Sequence, residues 1–174
     1  SQADQQIASI ESTLKELESK LDPHRIQVFQ YKIAVIHFYR GHYDAALDLL
    51  NKILSSSNDI LKSDLFCYTR FLHLISHFSI GNFDLVDTLL TSVRTTFNNQ
   101  NHNNELMDLM FVFLRKATKA MNFGLKEEII NLLEKMEIIE KSSFGKVSFL
   151  YFDFFSWLDS LLKNTSIENL NRKT

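Results

Sequence analysis

The chain has 174 residues, 45% hydrophobic and 23% charged, the balance of one globular domain rather than of a disordered chain. With 4 Gly and 1 Pro it lacks the turn chemistry of a β-hairpin protein, and 19 basic against 21 acidic residues, a net charge of −2, leave no cationic stripe for nucleic acid. One cysteine, Cys67, cannot form an intramolecular disulfide or, by itself, a zinc site, and reads as a small buried side chain.

The start, Ser1 to Gln6, has neither an initiator Met nor a signal-peptide pattern, as expected of a processed protein or a domain cut from a longer one. A cytoplasmic location is the expectation, and a removed signal peptide is compatible with the same start. Ile7, Ile10, Leu14, Leu17 and Leu21 recur at three- and four-residue steps, which predicts a flanking helix over 4–21 with one apolar stripe. Asp22-Pro23 then supplies an N-cap and a proline at the first helical position, opening a helix that runs to about Arg40.

Gly41 ends that helix, and the period resumes from Tyr43 to Leu54, so the two helices should lie antiparallel. After a break at Ser55 to Asp59, a long helix to about Ile80, a turn at Gly81 and a helix to about Phe97 are expected. The polar stretch from Asn98 to Asn104 reads as a loop. Helices follow over about Asn104–Asn122, from a turn at Phe123-Gly124 to Glu140, and over Ser143–Lys163, about eight in all. The tail, 164–174, is polar apart from Ile167 and Leu170, which could dock one short turn.

Two segments repeat. Phe38, Gly41, Tyr43, Asp44 and Leu49-Leu50 match Phe78, Gly81, Phe83, Asp84 and Leu89-Leu90 at an offset of 40 positions. A fainter copy follows at Gly124 and Leu132-Leu133, with Lys126 where the aromatic should stand. Helix pairs repeating at this period indicate a solenoid, in which each pair buries its apolar face by stacking on the next. The repeats span about 24–56, 59–98 and 104–140, in an all-α superhelix forming a single domain.

The segment Tyr31 to Leu54 resembles the tetratricopeptide repeat family. Ala34 sits at the small residue of its first helix, Gly41 and Tyr43 at the turn, and Ala46 at the small residue of the second helix. The likeness extends to Leu65–Phe97 and fades over Leu106–Glu140. The repeats exceed the roughly 34 residues usual for that family, and Leu74 and Val86 replace the small residues in the second copy. A HEAT-like solenoid, with repeats of about 40–47 residues, is the alternative.

The resemblance implies a concave groove lined by first-helix side chains, receiving a peptide or protein segment. Carried over by position, these are Tyr31, Val35, Phe38 and Tyr39, then Tyr68, Phe71, Ile75 and Phe78. The competing reading is that these aromatics bury one another as core. The groove lacks the lysine, asparagine and arginine set with which chaperone-binding members grip a C-terminal carboxylate.

His73 and His77 stand one helical turn apart, and His37 occupies the place of His77 in the preceding repeat. These three are the only candidate metal ligands. No Glu follows His73, as the metalloprotease pattern requires, so packed helix histidines are preferred and no metal or cofactor is expected. Neither a nucleophile elbow nor a phosphate-cradling glycine loop is present. The expected role is therefore a non-enzymatic interaction scaffold; the alternatives are a ligand- or peptide-sensing regulatory module and a homo-oligomerising adaptor segment of a larger protein.

The run from Ser148 to Trp157 contains six aromatics, yet the apolar stretch around it, Val147 to Leu162, is too short for a membrane span and contains Asp153 and Asp159. On a continuous helix, Val147, Leu150, Tyr151, Phe154, Phe155, Trp157, Leu158, Leu161 and Leu162 share an arc of about 160°. Phe149 and Phe152 project from the polar side, an expected patch for a homodimer or another docking partner.

Overall fold

A computed structural model of the chain describes residues 2–17, 19–56, 64–102, 104–119, 125–141 and 146–171. All of its regular structure is helical: α1 (Gln2–Leu17), α2 (Pro23–Tyr39), α3 (Tyr43–Ser55), α4 (Asp64–Ser79), α5 (Phe83–Asn99), α6 (Glu105–Lys119), α7 (Leu125–Lys141), α8 (Lys146–Tyr151), α9 (Phe154–Lys163) and α10 (Ile167–Asn171). From α1 to α7 each helix packs mainly on its neighbours in the chain, and α2 also reaches α4. The fold is an all-α superhelix of antiparallel pairs, α2–α3, α4–α5 and α6–α7. No described helix is long and apolar enough to cross a membrane.

Local chemistry sets the ends of the pairs. Asp22 accepts hydrogen bonds from the backbone N–H of His24 (2.9 Å) and Arg25 (3.4 Å), while Pro23 occupies the first helical position. Gly41 and Gly81 adopt φ of +77° and +86°, the left-handed conformation that closes α2 and α4. The same lock follows both glycines: His42 N–H donates to the His37 carbonyl (2.9 Å), and Asn82 N–H to that of His77 (3.0 Å).

Two asparagines repeat the device. Asn101 (φ +55°) ends α5 with His102 N–H on the Phe97 carbonyl, and Asn164 (φ +48°) ends α9 with Thr165 N–H on that of Ser160. Asparagine tolerates this conformation because its short amide offsets part of the Cβ strain.

The small residues sit where close approach requires them. Ala34 and Ala46 are fully buried, and in the next pair Leu74 and Val86 are equally buried. Thr69, Ser76 and Ser79 return their hydroxyls to the carbonyls of Leu65, Leu72 and Ile75, so α4 carries these polar groups at no hydrogen-bonding cost.

The expected helix over 143–163 is instead two helices. Between α8 and α9, Phe152 and Asp153 leave the helical path, and Asp153 caps α9 by accepting from Ser156 N–H (3.0 Å). The tail forms α10, with Ile167 buried and Glu168 paired with Arg40 (3.2 Å), and a Cβ added at Gly41 would meet the Ser166 Cβ at 3.7 Å. Ten helices thus stand among the described residues, against about eight expected. The expected turn at Phe123-Gly124, the start at Ser143 and most of the break at Ser55–Asp59 lie outside the described residues.

Candidate functional site

The first helices of the three pairs, α2, α4 and α6, present one continuous aromatic face, and α8–α9 lie across it. A ladder of ring contacts records the crossing. Tyr151 stacks on Tyr68 (centroids 4.2 Å, planes 8° apart) and meets Tyr31 edge-on at 6.2 Å. Phe152 packs on Phe38 (5.4 Å) and Tyr39 (5.6 Å), Phe154 on Phe71 (5.6 Å), and Trp157 on Phe78 and Phe113 (6.2 Å each). The eight groove residues expected from the repeat, Tyr31, Val35, Phe38, Tyr39, Tyr68, Phe71, Ile75 and Phe78, are therefore brought to one face, and that face is filled by the chain itself. All but Val35 and Tyr39 are buried.

Polar anchors fix the crossing. Tyr31 Oη donates to the Tyr151 carbonyl (3.1 Å), and Asp153 N–H donates to Tyr39 Oη (2.8 Å). Two groove tyrosines thus satisfy backbone groups released where the helix is interrupted. Deeper in, the buried Ser148 Oγ meets Tyr68 Oη (2.6 Å) and accepts from Asn104 Nδ2 (2.9 Å), while Asn104 Oδ1 caps α6 through Met107 N–H (3.0 Å). Burial pushes the Tyr39 and Tyr68 phenols up to about 12, so both remain neutral hydrogen-bonding groups.

Phe149 and Phe152 do not form a joint outward patch. Phe152 is 2% exposed, and the half-buried Phe149 stacks on Phe155 (5.5 Å). The interruption at 152–153 shifts the angular phase of everything before it. Leu150 and Val147, expected on the core-facing arc, are instead 83% and 47% exposed.

Beside α8 the groove stays open. A cleft of about 660 Å³ runs between α2, the start of α4 and α8, with Val28, Val35, Ile36, Leu65 and Leu150 among its walls. Its polar rim comprises His24, Lys32, Asp64 and Asp153. Asp64 pairs with His102 (3.0 Å) and Asp153 caps α9, so both carboxylates are committed to holding the fold.

The three candidate histidines are not assembled into a site. His37 Nε2 pairs with Glu11 (3.0 Å), whereas His73 and His77 meet edge-on at 4.6 Å. Among the described residues no group of three or more His, Cys, Asp or Glu is placed to hold a metal ion. Cys67 is buried, and burial pushes its thiol up to about 12, far from a thiolate nucleophile.

Burial, aided by the neighbouring His77 and Arg70, depresses His73 to about 4. The unfolded chain, titrating near 6.5, binds a proton over this interval that the folded chain does not. Stability is therefore full above about pH 6.5 and falls as pH drops toward 4. His73→Gln should flatten that decline by about 1 kcal/mol, allowing for solvent screening of the partly exposed ring, as read from urea midpoints at pH 7 and pH 4.5. An unchanged pH slope would contradict it.

Sequence reasoning missed the cleft wall supplied by α8, because it carried one helix through Asp153. The available signal was an N-cap residue followed by Phe154, Trp157, Leu158 and Leu161, a fresh apolar period. Compared with known proteins, the chain matches no family model, no curated protein and no solved structure.

Proposed function

We propose that this chain is a non-catalytic protein-interaction scaffold, built from helix pairs similar to tetratricopeptide repeats, which receives an apolar segment of a partner in the cleft between α2 and α8. One observation carries the reading: the aromatic groove continues into an open cleft whose rim keeps Leu150 and Ile36 in solvent. Large apolar side chains beside a concave, apolar-walled opening are what a peptide-binding module presents. The non-catalytic reading is supported by the occupations of nearby groups, since the rim acids cap or pair and the thiol is buried.

Selection of displayed peptides on the full chain tests this. Peptides carrying a large apolar anchor should bind the wild type and lose at least about tenfold in affinity on Ile36→Glu/Leu150→Glu, a change of exposed positions that leaves the fold intact. Equal binding to both proteins, or no selected peptide, sinks the reading. The cleft volume also falls within the roughly 300–1,000 Å³ of small-ligand sites. A sensor of small apolar ligands is therefore the second reading, identified by thermal stabilisation with such compounds and none with peptides.

A further inference from the structure

The segment from α8 to α9 fills the groove through its backbone and its aromatic side chains, in the manner of a bound peptide. Its aromatic rings reach all three first helices while α9 packs beside α7 and α10, and it is anchored through its backbone by Tyr31 and Tyr39. Groove hydroxyls that grip an interrupted backbone, with alternate side chains inserted into pockets, are how a groove recognises a linear segment. Phe152 fills the pocket of Phe38 and Tyr39, Asp153 starts the helix, and Phe154 and Trp157 follow on α4 and α6.

Its seating is also incomplete. α8 has six residues, too few to be stable alone, and its α2-facing flank is the open cleft with Leu150 in solvent. Trp157 Nε1 is buried with no hydrogen-bond partner among the described residues, a desolvation cost that a better-fitting ligand would avoid.

Resting on the scaffold reading, we infer that Tyr151-Phe152-Asp153-Phe154, continuing to Trp157, is a tethered ligand, and that the partner segment for this groove shares its chemistry. That chemistry is two aromatics, an acidic helix cap, then aromatics at the first and fourth positions of the helix. The internal copy competes with the partner and lowers its apparent affinity in proportion to the time the groove is filled.

The test uses the full chain and a fluorescent synthetic peptide of residues 147–163. Asp153→Ala removes the cap of the internal copy, and Phe152→Leu loosens its anchor while retaining most of the apolar volume. Peptide anisotropy should report binding about tenfold tighter to either variant than to wild type, and a peptide with Ser at positions 152 and 153 should not bind. Equal binding to wild type and the folded variants, or none, overturns the inference. So does a variant that forms a dimer, by light scattering, and excludes the peptide.

Hydrogen exchange on the wild type needs no variant. Amides of 147–158 should open at least about a hundredfold more often than those of α4, whereas exchange of both segments in one global event overturns the inference. Display-selected peptides are assayed in parallel. If they bind the cleft while the 147–163 peptide binds nothing, only the tethered ligand fails; if neither binds, the scaffold reading fails with it.

Discussion

Phe152→Ala is expected to lower the unfolding free energy by about 3–5 kcal/mol, while Leu150→Ala, two residues away, should change it by no more than about 0.5 kcal/mol. On an uninterrupted helix the order would be reversed. Phe152 is enclosed by Phe38, Tyr39, Phe154 and Trp157, with ring centroids between 5.3 and 6.2 Å, so truncation removes contacts on every side and leaves a cavity. Leu150 is 83% exposed and has little packing to lose. Urea denaturation of the two variants decides the matter, provided the m-value is unchanged and the midpoint alone moves. A neutral Phe152→Ala would mean that the interruption at 152–153 does not exist and that α8 and α9 are one helix.

Those two residues also mark how far local reasoning reaches. Gly41 and Gly81 announced their turns because glycine is the residue that adopts positive φ without strain, and both closures have the same hydrogen-bond pattern. The cap at Asp22 and the buried Ala34 and Ala46 were legible for the same reason: one residue type answers one local demand. Asn101 and Asn164 adopt the same left-handed conformation but were read only as polar loop and tail, since asparagine also suits any solvated turn.

The residues to which the repeat resemblance points share one face, but what covers that face was not legible. Helical periodicity brings Tyr31, Val35, Phe38 and Tyr39 to one face of α2, and repetition brings Tyr68, Phe71, Ile75 and Phe78 to the matching face of α4. Nothing local says what covers that face. The covering residues lie some 80–120 positions away in the hydrogen bonds of Tyr68 to Ser148 and Tyr31 to Tyr151, a pairing set by tertiary packing. Phe149 and Phe152, stranded on the polar side of a continuous helix, were the visible trace of a phase shift. An aromatic on the wrong face signals either a docking patch or an interrupted helix, and Asp153 as a capping residue is what separates the two.

Replacing Trp157 separates what its ring contributes from what its N–H costs. The ring is 1% exposed and bridges α4 and α6 through Phe78 and Phe113, besides meeting Phe152. Trp157→Ala should therefore lose about 3–5 kcal/mol, and because this is the chain's only Trp, unfolding is followed by far-ultraviolet circular dichroism. Trp157→Phe keeps most of the apolar contact and deletes the unpartnered Nε1–H, whose burial costs about 1–3 kcal/mol. The two effects of the Phe substitution oppose each other, so its net loss should stay below about 1.5 kcal/mol. A Phe variant as unstable as the Ala variant would mean that Nε1 has found a partner in solution, such as a buried water, and that the internal segment is seated more firmly than its geometry implies. A mild loss in Phe with a large one in Ala would identify Trp157 as an apolar strut whose polar edge is a standing cost to the segment that carries it.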